Sequence, residues 1–65
     1  MTELFHVALD YSGFPCYYGG VSADHKAIFT EQPQGNGIPR KHAERFAERL
    51  ALQDKLTNVR IVRAN

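Results

Sequence analysis

Three observations predict an α+β fold, a small antiparallel sheet of three to four strands with one helix packed on one face, in the order βββαβ. From Leu4 to Asp10 the chain has period two, with Phe5, Val7 and Leu9 on one face. Aromatic and β-prone runs follow, broken by glycines. From Arg40 to Lys55 the chain then holds no Gly, Pro or β-branched residue, which gives it high helix propensity.

The first strand, about residues 3–10, follows from period two. Phe5, Val7 and Leu9 share one face, and Leu4, His6, Ala8 and Asp10 share the other. Tyr11-Ser12-Gly13 reads as a tight turn, because Gly13 accepts positive φ. Phe14-Pro15-Cys16-Tyr17-Tyr18 is then the return strand, about 15–19, with Pro15 at its start or on an edge because it has no N–H. Gly19-Gly20 ends that run, Val21 to His25 forms a polar connection, and a third strand covers about 25–30. Residues 31–37 carry Pro33, Gly35, Asn36 and Gly37 and read as a loop.

The helix is placed at about 39–55. Pro39 suits a first helical position, where its missing N–H costs nothing. Ala43, Phe46, Ala47 and Leu50 recur at spacings of three and four and form the buried face. Asn58 is expected to close the helical region, and a last strand takes about 58–63. The position of that strand in the sheet is not readable from the pattern.

Length and composition limit the function. Residues 1–65 make one small domain of 7.3 kDa, too short for a multidomain enzyme. At this size apolar burial and the entropy of ordering nearly cancel, so self-association or a partner is the expected source of extra burial. Cys16 is the sole cysteine, so no intrachain disulfide exists. No apolar run is long enough to span a membrane. The first ten residues lack a basic stretch and do not read as a signal peptide. The chain therefore reads as a complete small cytoplasmic protein.

The charges are divided along the chain. Residues 1–34 hold Glu3, Asp10, Asp24 and Glu31 against Lys26. Residues 35–65 hold seven Lys and Arg against Glu44, Glu48 and Asp54. The aromatics run the other way, with Phe46 alone in the second half. The two halves either neutralise each other on folding or present a polar surface to a partner.

No catalytic or metal-binding constellation is legible. His6, His25 and His42 stand far apart in sequence, and no close ligand pair of the kind zinc favours is present. Cys16 in a strand reads as a small buried hydrophobe rather than a nucleophile. The glycines do not form a phosphate cradle. We expect no enzyme activity, no metal and no cofactor.

Two surfaces remain. On the helix, Lys41, Arg45 and Arg49 form a basic stripe, with Glu44 and Glu48 beside it, and Leu52 falls near the stripe and away from the core positions. On the hairpin, Tyr17 and Tyr18 are neighbours on a strand and face opposite ways, so they cannot both enter the core. Tyr17, Tyr18, Lys41, Arg45, Arg49 and Leu52 are the candidate partner-binding residues, because Tyr and Arg are enriched where proteins bind one another. The alternative is nucleic-acid binding through Arg40, Lys41, Arg45, Arg49, Arg60 and Arg63, although pI ≈ 7.9 is low for such a domain. A homodimer is compatible with either reading.

The layout resembles the short accessory proteins encoded by tailed phages and prophages. The features that carry the likeness are an aromatic hairpin after a Met-initiated strand, a helix reading Arg40-Lys41-His42-Ala43-Glu44-Arg45-Phe46-Ala47, and the closing Asn58-Val59-Arg60-Ile61-Val62. The resemblance implies a host-directed role, in which the protein binds a larger host enzyme, such as RNA polymerase or a defence nuclease, and blocks or redirects it. It implies no particular site residue.

Overall fold

The first strand, β1 (Leu4–Tyr11), is the axis of the sheet in the computed structural model, which describes residues 3–64. It turns into β2 (Phe14–Val21) through Ser12-Gly13. These two residues have φ of 49° and 89°, both positive, which identifies a type I′ hairpin turn whose twist matches that of the strands. The antiparallel register sets Leu9 opposite Cys16 and Ala8 opposite Tyr17. β3 (Ala27–Thr30) pairs with β2, with Tyr18 opposite Phe29. Their register then shifts by one residue between Tyr18 and Val21, at Gly19-Gly20, and such a bulge bends its strand.

Several elements depart from the sequence expectation. β2 continues through Gly19-Gly20 to Val21 instead of ending at the glycines, because the bulge there lets pairing with β3 resume at Val21 and Ala27, and the last strand starts at Leu56 instead of about residue 58. Ile38–Pro39 forms a short extra strand, β4, against Leu4 and Phe5. Pro39 is therefore the residue before the helix, extended at φ −58° and ψ 151°, and not its first turn. The helix, α1 (Arg40–Ala51), ends four residues before the expected Lys55. Leu52 caps its C-terminus, and a turn over residues 53–55 leads into β5 (Leu56–Arg63). Propensity alone would have carried the helix to Lys55, but pairing of Leu56 with Tyr11 and Thr57 with Asp10 stops it. Asn58 does not close the helix. It lies inside β5 at φ 53°, where Asn58 and Val59 together face Leu9 in a bulge. Asn tolerates this left-handed backbone better than most residues.

The last strand lies beside the first. β5 pairs with β1 from Phe5 to Tyr11, and Ala64 N–H extends the contact by donating to Leu4 C=O at 2.9 Å. A strand has two edges, so β2 and β4 must share the other one. β2 takes Ala8 to Tyr11 and β4 takes Leu4 and Phe5. Along that edge the ladder is broken at His6 and Val7.

Phe5, Val7 and Leu9 point toward α1 and form the core with Cys16, Ala43, Leu50 and Leu56. Phe46 and Ala47 pack against this cluster, so the helical face predicted from spacing is the buried one. His6 and Ala8 point to the opposite face and are still buried, because Tyr17, Arg60 and Val62 stand beside them in register. The main chain of α1 lies over β5, β1 and β4 but does not come close to β2 or β3. Its bridge to β2 is the ring pair Phe46–Tyr18, 5.0 Å between centroids. The helix-side face of β2 and β3 is consequently only half covered.

A half-covered aromatic face and its arginine wall

The candidate surface follows from that off-centre helix. Residues 11, 14, 16, 18 and 29 all point to the helix side, by alternation and by register with Leu9 and Tyr18. Since α1 does not cover them, the rings stack on one another. Tyr11 and Phe29 have centroids 5.4 Å apart, Phe29 and Tyr18 6.2 Å, and Tyr18 and Phe46 5.0 Å. Tilted ring pairs at these separations are favourable beyond their burial.

At the hairpin end this row becomes an exposed apolar surface. The helix begins beside Phe5 and ends beside Tyr11, because β4 pairs with Phe5 and Leu56 with Tyr11. Leu52 therefore sits at the same end as the hairpin turn, and Ser12 N–H donates to Lys55 C=O at 3.0 Å to hold the two loops together. Phe14 is 74% exposed, Leu52 84% and Tyr11 39%. A hollow lined by Tyr11, Phe14, Pro15, Cys16 and Phe29 opens between the hairpin and β3.

The wall of this face is basic. His42, Arg45 and Arg49 line a groove with Phe46, on the flank of α1 that borders Tyr18. Among the described residues neither Arg45 nor Arg49 has a carboxylate partner. Glu44 instead accepts a hydrogen bond from Arg40 at 3.0 Å, an exposed i, i+4 pair that contributes little stability.

The residues singled out from the sequence thus fall into separate places. Arg45 and Arg49 line the groove beside Phe46, while Lys41 and Leu52 are exposed on the neighbouring strip of the helix. Tyr18 is half-buried in the aromatic row, while Tyr17 lies on the other side of the sheet with its ring edge-on to His6 at 6.4 Å. The two tyrosines therefore do not share a surface. Arg60 also lies on that far side, opposite Ala8, so the six basic residues named for nucleic-acid binding do not form one face. Tyr11, Phe14 and Phe29 are the members of the surface absent from the sequence candidates. Phe14 shares the period-two face of Cys16 and Tyr18 within β2, and Phe29 joins it only through the β2–β3 pairing with Tyr18.

Among the described residues no group of three His, Cys, Asp or Glu is placed to hold a metal ion. No described helix is long and apolar enough to cross a membrane. Cys16 is buried, and that burial pushes its thiol pKa up, with Asp10 adding to the shift and a hydrogen bond from the Tyr11 main chain opposing it. The folded pKa lies above the unfolded one, so the protonated thiol favours the native state. This contribution is full below the unfolded thiol's pKa of about 8.5 and is lost as pH rises through the higher folded value. An aromatic disulfide reagent at pH 8 should therefore titrate Cys16 roughly tenfold or more slowly in buffer than in urea. Equal rates would show that the thiol is accessible in the native state.

Comparison with protein-family models, curated proteins and solved structures finds no match for this chain.

Proposed function

We propose that this protein is a small non-enzymatic binding module that holds an apolar, acidic segment of a larger protein on the half-covered face. The observation that carries the reading is that Tyr11, Phe14 and Leu52 are all exposed at the end of the molecule where the hairpin turn meets the loop after the helix, with Arg49 one helical turn before Leu52. Large apolar side chains grouped on a small domain leave a patch that association would remove from water. An aromatic and a leucine anchor flanked by arginine is the composition of a protein-binding centre, and the unpartnered guanidinium groups favour carboxylates on the partner. The resemblance to phage accessory proteins suggests that the partner is a host enzyme whose activity is blocked or redirected.

Nucleic acid is the second reading, because aromatic rings and Arg45 lie side by side, as on surfaces that stack single strands. Two features favour protein instead. Arg60 faces away from Arg45 and Arg49, and the most exposed apolar groups are at the hairpin end, where Leu52 offers no stacking surface.

Tagged protein should retain one stoichiometric protein from a host lysate treated with nuclease. Phe14→Ala and Leu52→Ala should each lower that retention at least about tenfold, as expected for interface anchors. Both residues are exposed, so the unfolding free energies should stay within about 0.5 kcal/mol of the parent. Retention that disappears with nuclease, or that ignores both substitutions, would reject the reading.

A further inference from the structure

The break in the ladder on β1 opens a second feature at the opposite end of the aromatic row. β2 leaves β1 after Tyr17, β4 joins β1 only at Phe5, and a cleft of about 340 Å³ lies between them. That volume is at the small end of the range of ligand sites, roughly 300–1,000 Å³. We propose that this cleft and the adjoining basic groove bind a nucleoside monophosphate, with the base in the cleft and the phosphate on the flank of α1.

Shape and chemistry both support this ligand class. The inner wall is apolar and partly aromatic, formed by Phe5, Val7, Tyr18, Ile38 and Phe46. A flat ring buries its faces against such a wall at little entropic cost. Gly19, Gly20, Gln34, Gly35, Asn36 and Gly37 complete the lining and bring amide groups to it, from the main chain and from two amide side chains. Amides supply donors and acceptors together, and the edge of a nucleobase does the same. An aliphatic ligand would leave those groups desolvated and unmatched.

The anion is specified next door. Phe46 lines both the cleft and the groove of about 240 Å³ formed with His42, Arg45 and Arg49, so the two sites meet across one ring. No acid lines that groove, and a guanidinium meets a phosphate with two parallel hydrogen bonds. An uncharged nucleoside would fill the cleft and leave the arginines unanswered. This site shares Arg45 and Arg49 with the protein-binding reading but does not use Phe14 or Leu52, so Phe14→Ala separates the two.

The test is an amide NMR titration of the full chain with AMP, adenosine, inorganic phosphate and phenyl phosphate. AMP should saturably shift the amides of Gly19, Gly20 and Gly35 to Ile38 together with those of His42 to Arg49. Adenosine should move only the first set and inorganic phosphate only the second. The double variant Arg45→Gln, Arg49→Gln, exposed and neutral to folding, should weaken AMP about tenfold or more and leave adenosine unchanged. Phe14→Ala should bind AMP as the parent does. A four-residue single strand binding at least about tenfold tighter than AMP would place the nucleotide in a chain, and equal or weaker binding would make it a free nucleotide. No saturable shift with AMP, shifts that merely repeat those of inorganic phosphate, or phenyl phosphate binding as tightly as AMP would overturn the proposal.

Discussion

Gly37→Ala is expected to destabilise this protein by about 2–4 kcal/mol, more than the loss of any ion pair seen here. Gly37 has φ 96°, a backbone conformation that L side chains rarely adopt. A Cβ built there would lie 2.9 Å from Phe5 O and 2.9 Å from the Ala64 side chain. Neither neighbour can retreat freely, because Phe5 is held between β4 and β5, and Ala64 donates to Leu4. The strain and the clash therefore add, and β4 must separate from β1. At roughly 4–8 °C per kcal/mol for a domain of this size, the midpoint should fall by about 10 °C or more. Gly35→Ala is the internal control. Its φ of 69° is also left-handed, but a Cβ would meet nothing within 4 Å, so it should cost only about 1 kcal/mol. Thermal melts followed by circular dichroism would check the pair. Equal midpoints for the two variants would show that the clash with Phe5 is not felt. Since Gly37 also lines the cleft between β2 and β4, its variant should lose that site with the strand.

Leu9→Ala is expected to cost about 3 kcal/mol, within the range for large-to-small changes at fully buried positions. Leu9 is 0% exposed, lies opposite Cys16 in β2 and faces the two-residue bulge of β5. Strands on both of its edges leave little freedom to collapse onto the missing methyl groups. A single core of this size rarely supplies more than about 3–5 kcal/mol, so most of the margin would be lost. Urea titration should show the midpoint moving toward zero denaturant, with partial unfolding in buffer at 37 °C. A midpoint within error of the parent would mean that Leu9 does not anchor the core. The contrast with Leu52→Ala is informative, because the same chemical change at an exposed helix cap should leave stability nearly unaltered.

Leu9 and Gly37 differ in how much of the chain sets their roles. Leu9 was placed in the core by alternation alone, since Phe5, Val7 and Leu9 repeat at period two. The hairpin was legible for a similar reason, as Ser12-Gly13 is short and supplies the positive φ a tight turn needs. The buried helical face was legible in the spacing of Ala43, Phe46, Ala47 and Leu50. Gly37 was legible only as a loop residue. Its cost depends on the closeness of Phe5, thirty-two positions earlier in the chain, and no local pattern encodes that distance.

The candidate surface divides in the same way. Lys41, Arg45, Arg49 and Leu52 are legible from helical angle, and of these Arg45 and Arg49 line the flank that carries the groove with Phe46. Which way that flank faces was not readable, because it depends on α1 lying over β5 and β1 instead of over the middle of the sheet. That offset leaves Tyr18 and Phe29 half-covered and creates the aromatic row.

Local chemistry in this sequence determined the α+β class, the order of its main elements and the inward faces of β1 and α1. Those features arise from interactions between residues a few positions apart, where side-chain period and backbone preference act directly. Tertiary structure decided the early stop of α1, the bulge at Asn58, the short strand β4 and the place of β5 beside β1. Each of these is a long-range pairing that overrides a local preference. The energy of a paired strand is shared between two distant segments, and neither segment carries it alone.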